Sequence, residues 1–238
     1  MDCKGFLKEI SFELNSNADP KFAKGMKGFF KEKINPIGVR RPITRKIANE
    51  FFKEHRNDFS FNEWILLSEE FLKSPVMEMQ DIGFFLAEKQ KKNFTKNTFD
   101  VFEFWLKKYV SNWVHCDELC PHCIGPLIEL CPDLIPKISS WASSNNRWLR
   151  RASMVSYVLI ARKKDYSKEV IFNALNLLND KDDLVHKAVG WTLRESAKAN
   201  KKAVYEFLKK NKLKFPRTAL RYAIEKFSEK EKKELMEK

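Results

Sequence analysis

Glycine is scarce in this chain, at 7 of 238 residues, about 3% against a usual share of roughly 7%. So few permissive residues cannot supply the tight turns of a many-stranded sheet, and no stretch alternates β-branched residues between turn signals. Long apolar runs are missing too: none approaches the roughly 18 to 20 residues of a membrane span. Residues 1 to 16 are interrupted by Asp2, Lys4, Lys8, Glu9 and Glu13, which leaves no uninterrupted apolar stretch of the secretory kind. A cytoplasmic protein with no membrane association is expected. There is also no phosphate-binding glycine loop, no G-x-S-x-G and no H-E-x-x-H, so the enzyme classes built on those motifs are not indicated.

What is present is an apolar pattern with helical spacing. It runs through Phe6, Ile10 and Leu14, through Ile47 and Phe51, through Val101, Phe104 and Trp105, and through Val185, Ala188, Val189, Thr192 and Leu193. Prolines at 20, 36, 42, 75, 132, 136 and 216 punctuate these segments where a helix can start but not easily continue. The pattern predicts about a dozen helices of roughly 10 to 16 residues and one domain over 1–238, closing with an exposed helix over Ser228 to Lys238. A degenerate repeat runs through it. Leu149, Arg151, Ala152, Val155 and Tyr157 match Val185, Lys187, Ala188, Trp191 and Leu193 at a shift of 36, and Met79, Gly83 and Phe84 lie about two periods earlier. A period of this length belongs to HEAT-like helix pairs that stack into a solenoid. The fold expected is therefore all-α, a HEAT-like helical-repeat solenoid with a concave basic face, and a generic helical bundle is the alternative.

The net charge of +13 is concentrated. Residues 147–164 carry six basic and no acidic residues, and residues 198–221 carry nine basic residues and Glu206 alone. Clustered Lys and Arg gain from displacing counterions on nucleic acid, which makes a polyanion the expected partner. A solvated helix face, an acidic protein or a membrane surface are the other readings of the same charge.

Three segments place tryptophan beside ionisable residues: Asn112-Trp113-Val114-His115-Cys116-Asp117, Asn146-Arg147-Trp148-Leu149-Arg150-Arg151-Ala152 and Ala188-Val189-Gly190-Trp191-Thr192-Leu193-Arg194-Glu195. With Lys24-Gly25-Met26-Lys27-Gly28-Phe29-Phe30, Ile37-Gly38-Val39-Arg40-Arg41-Pro42-Ile43-Thr44-Arg45 and the continuation Ser196-Ala197-Lys198, this ordered set resembles the AlkD-like DNA alkylation repair glycosylases over most of the chain. The resemblance implies a HEAT-like solenoid that cleaves the glycosidic bond of N3- and N7-alkylated purines in duplex DNA, in base excision repair, without metal or cofactor. It puts the family's catalytic carboxylate on Asp117, its sugar-facing tryptophans on Trp113 and Trp191, and its backbone-contacting arginine on Arg151. Arg147, Arg150, Lys187, Arg194 and Lys198 complete the expected DNA-binding set, on a monomer. The sequence departs from the family pattern at Asn112 and Val114, where tryptophan and aspartate are common, and at Phe29, where a tyrosine often stands.

The chemistry needs few residues. An N3- or N7-alkylated purine is cationic and leaves readily, so the remaining task is to stabilise an oxocarbenium-like sugar and place a water, which one ionised carboxylate can do. Trp113, four residues before Asp117, shares a helix face with it, and π-faces favour a developing cation. Each residue also has a plainer reading, as core tryptophans, a helix N-cap and a solvated base, and Trp148 reads as packing. The second functional class is a non-catalytic helical-repeat module that binds DNA structure or a protein. Cys116, Cys120 and Cys123 share the C-x3-C-x2-C spacing of radical iron–sulfur enzymes, with His115, His122 and Cys131 nearby. That chemistry sits on a β/α barrel, so the i, i+4, i+7 spacing reads instead as one buried helical face with no metal and no disulfide.

Overall fold

The period visible in the sequence is a period of helix starts. The computed structural model describes residues 2–237, and these form helices with no strand among them. In chain order they are α1 (Cys3–Ser16), α2 (Pro20–Phe29), α3 (Arg41–His55), α4 (Phe61–Leu72), α5 (Met77–Lys89), α6 (Thr98–Lys108), α7 (Trp113–Leu119) and α8 (Gly125–Leu130). They continue with α9 (Ile135–Ser140), α10 (Arg147–Val155), α11 (Ser167–Asn176), α12 (Asp183–Ser196), α13 (Lys201–Asn211), α14 (Arg217–Ala223) and α15 (Glu229–Met236). Helices α3, α5, α7, α10, α12 and α14 begin 34 or 36 residues apart, a helical repeat carried through six helices. Two of them share a cap: Asn146 Oδ1 accepts from Trp148 N and Asp182 Oδ1 accepts from Leu184 N, both at 2.8 Å, so α10 and α12 start on the same satisfied donor.

Helix length departs from expectation where prolines crowd. α7, α8 and α9 have 7, 6 and 6 residues; Pro121 and Pro126 lack the N–H that would continue the ladder of α7, and Pro136 stands in the first turn of α9, where none is needed. After α7 the chain passes through one π turn, Cys120–Ile124.

Two compact units are distinguished among the described residues, 2–94 with 108–118 and 95–107 with 119–237. In the first, Ile10, Leu14, Ile47, Phe51, Trp64, Phe71 and Ile82 from α1, α3, α4 and α5 form a core, each such burial contributing about 1.5 to 3 kcal/mol. In the second, α12 packs on α10, α11 and α14. Gly190 makes the approach to α14 possible, since a Cβ there would lie 2.5 Å from the Tyr222 Cβ and closer still to the Ala219 carbonyl. The carboxy-terminal helix is docked as well as exposed. Ser228 and Glu231 form a capping box, Leu235 is buried, and Lys201 and Lys209 of α13 pair with Glu231 and Glu234 at 2.8 and 2.7 Å. Among the described residues no helix is long and apolar enough to cross a membrane.

Candidate active site

Asn112 starts the helix that carries the expected chemistry. Its Oδ1 accepts from the His115 backbone N–H at 3.0 Å, and its Nδ2 donates to His115 Nδ1 at 3.0 Å. The residue that departs from the family pattern is therefore the buried N-cap of α7. One turn of α7 then puts Trp113 and Asp117 on one helix face, both partly exposed. The Trp113 ring stacks on Phe30, with centroids 5.2 Å apart and planes 12° apart, and meets Phe29 edge-on at 6.2 Å. Phe29 is 74% exposed, so the position that often holds a tyrosine offers solvent a bare ring.

Around Asp117 lies a charged cluster that sequence reasoning missed. Glu118 is 4% exposed and is held by two arginines of α3, Arg41 and Arg45, the latter at 2.5 Å. Burial lowers the pKa of Arg41 from the usual guanidinium value, while the negative charges of Asp81 and Asp117 oppose that shift. The loop leading to these arginines is fixed by a second buried carboxylate. Glu78 accepts from the backbone N–H groups of Ile37, Gly38 and Val39 at 3.0, 2.8 and 3.1 Å. Gly38 sits at φ 93°, a conformation that other residues adopt at a cost, and this lets three consecutive N–H groups converge on one carboxyl. The Ile37-Gly38-Val39-Arg40-Arg41-Pro42 segment is thus an anion nest that aims α3.

Asp81 on α5 completes the cluster. Its Oδ1 lies 3.6 Å from His115 Nε2, and neither atom has a hydrogen-bond partner. Burial drives the Asp81 carboxyl up to about 7 and the His115 imidazole down to about 3, so both are neutral on the acid side of neutrality.

The signal that could have found these residues is positional. The fifth residues of the six repeating helices are Arg45, Asp81, Asp117, Arg151, Lys187 and Arg221, all charged. The first residues, one turn before them, are Arg41, Met77, Trp113, Arg147, Asp183 and Arg217. One register of the repeat is reserved for ionisable groups.

In the second unit the expected DNA-binding residues divide in two. Arg151 is 4% exposed and donates from Nη1 to the Leu184 carbonyl, tying α10 to α12. Arg150 grips Asp180 at 2.6 Å and the carbonyls of Ser144 and Asn145 at 2.9 and 3.1 Å, a brace between loops. Exposed or partly exposed cations pair with carboxylates at the surface. Arg147 lies 3.5 Å from Asp182 and over the Trp148 ring, Lys187 2.7 Å from Asp183, and Lys198 2.5 Å from Glu195. Arg194 pairs with Glu225 and Glu195. Trp191 is partly exposed on α12, and Trp148 is 8% exposed, as packing requires. Arg221, on the same register as Lys187, is exposed with no side-chain partner among the described residues. Cys116, Cys120 and Cys123 are 0% exposed, as small apolar residues of a core are.

Helices repeating at 34 to 36 residues with one charged register define an all-helical repeat protein. No curated protein sequence matches the chain. A solved structure described as a predicted DNA alkylation repair enzyme from Enterococcus faecalis shares the fold, with a TM-score of 0.79 at 19% identity over 90% of this chain and 98% of that one. The family model of DNA alkylation repair enzymes matches residues 10–227, and the chain belongs to that family. Its role accordingly lies in the repair of alkylated DNA.

Proposed function

We propose that this protein is a monofunctional DNA glycosylase that excises positively charged N3- and N7-alkylated purines from duplex DNA. The observation that carries this reading is the pairing of Trp113 and Asp117 on one partly exposed face of α7, with the indole braced flat against Phe30. A braced ring keeps its orientation without loss of side-chain entropy on binding, and a carboxylate one turn along meets the same ligand surface.

In this mechanism Asp117 supplies negative charge to the sugar as the glycosidic bond lengthens and holds the water that adds to the anomeric carbon. The alkylated base departs with the bonding electrons, which neutralise its positive charge, so it needs no strong acid. Trp113 offers its π-face to the sugar cation. The partly exposed members of the basic set, Arg147, Lys187, Arg194 and Lys198, are already oriented by carboxylates. Such surface pairs are worth about 0 to 1 kcal/mol, so a phosphate can replace the carboxylate at little cost. Arg150 and Arg151 contribute by fixing the loops and helices that carry these cations.

The test is product analysis: methylated duplex DNA incubated with the protein releases free 3-methyladenine and 7-methylguanine and retains abasic sites. Tight binding to DNA with no free base released would replace this reading with the non-catalytic one.

A further inference from the structure

Asp81 belongs to the charged register rather than to the packing of the unit. It is the fifth residue of α5, the position that Asp117 holds in α7 one repeat later. Its neighbour three residues earlier shows what a structural carboxylate does here: Glu78, 2% exposed, uses its oxygens on three backbone N–H groups. Asp81 takes no such bonds through Oδ1. Its side chain is about one-fifth exposed and lines a cavity of about 10 Å³ with Arg41, Thr44, Arg45 and Glu118, enough for about one water. Thr44 Oγ1 is likewise without a partner, so the cavity walls hold unused acceptors beside two guanidiniums.

We propose that Asp81 is a second functional carboxyl of the Asp117 site, a positioning residue whose charge acts on that site through the Arg41 guanidinium the two aspartates share. Arg41 is the link because it lines the cavity with Asp81 and pairs with Glu118, the residue after Asp117 on α7, and the charges of both aspartates oppose the lowering of its pKa. With Asp81 protonated, Arg41 is balanced by Asp117 and Glu118. With Asp81 ionised, a further negative charge offsets Arg41, and the field of Asp117 reaches the bound sugar less diminished. The groups whose charge reaches Asp81 are Arg41 and Arg45 from α3 and Glu78 from its own helix, with His115 of α7 facing it and Glu118 of α7 tied to the same arginines. Burial places its titration at about 7, and His115 stays neutral there because its own titration lies at about 3.

This inference rests on the glycosylase reading for its consequence but not for its test. Single-turnover excision of 3-methyladenine from duplex DNA is measured from pH 6 to pH 8 with wild type and Asp81→Asn, and the Asp81 side-chain carbon is titrated by NMR in wild type and Arg41→Gln. The wild-type to Asp81→Asn rate ratio is expected to rise about tenfold over this range, the scale of one unit charge acting through a partly solvated site. The Asp81 titration is expected to move to higher pH in Arg41→Gln, because a favourable positive charge is lost. A rate ratio independent of pH overturns the proposal, and so does an Asp81 titration that Arg41→Gln leaves in place. If wild type releases no base, the glycosylase reading fails and the NMR arm alone decides whether Asp81 is coupled to Arg41. Circular dichroism of both variants confirms that the comparison is between folded proteins.

Discussion

Replacing Glu78 with glutamine tests whether the anion nest positions α3. The wild-type carboxylate accepts two N–H groups on Oε1, from Gly38 and Val39, and one on Oε2, from Ile37. Glutamine keeps one oxygen for the first two but turns an NH2 toward the third, so a half-buried donor faces a donor. The orphaned Ile37 N–H costs about 1 to 3 kcal/mol, and the two surviving bonds each lose about 1 kcal/mol of charge assistance. A total loss of about 3 to 5 kcal/mol follows, read as a lower urea midpoint at unchanged slope. Because Arg41 and Arg45 hang from this loop, excision should fall in the variant even where it remains folded. A midpoint shift worth less than about 1 kcal/mol would show that the three bonds do not hold the loop, and the reasoning would be wrong.

Gly190→Ala should destabilise the protein by about 1 to 3 kcal/mol, since the added methyl meets the Ala219 carbonyl and Tyr222; thermal unfolding of the variant checks this, and an unchanged midpoint would contradict the close approach. Asp81 and His115 should drive stability in opposite directions with pH. Between pH 3.8 and about 7 the unfolded chain has lost the Asp81 proton that the folded chain keeps, so stability from this group falls as pH rises. Between about 3 and 6.5 the unfolded chain binds a His115 proton that the folded chain excludes, so stability from that group rises with pH. The two trends offset each other near pH 5, and Asp81→Asn should leave the rising one exposed, at up to about 1.4 kcal/mol per pH unit; denaturant titrations at pH 4.5 and 6 with equal stability would oppose it. Arg221→Ala should weaken duplex binding and flatten its log–log salt dependence by about 0.9, one phosphate contact; an unchanged slope would remove Arg221 from the DNA surface.

The helical class and the repeat were legible in the sequence because both follow from local patterns. Val185, Ala188, Val189, Thr192 and Leu193 repeat at helical spacing and are buried as that spacing requires. The short lengths of α7 and α8 were not legible, because the helical spacing of Cys116, Cys120, Cys123 and Leu127 runs on across Pro121 and Pro126 and does not register the N–H groups that those prolines lack. The pairing of Trp113 with Asp117 was legible from their spacing, but the partners of charged residues were not. Arg150 and Arg151 are neighbours in a basic run, yet one braces Asp180 and the other reaches the Leu184 carbonyl. A run of like charges records no direction, and the directions are set by which helix lies opposite. Glu78 and Asp81 are likewise three residues apart on one helix, one consumed by backbone N–H groups and the other left with an unused oxygen.

The central claim is that Asp117 acts by its charge on the sugar, and single-turnover excision of 3-methyladenine by wild type and Asp117→Asn tests it most directly. Asparagine keeps the size and loses the charge, so duplex affinity should change little while the excision rate falls on the order of 100-fold or more. Equal excision rates for the two proteins would contradict the account.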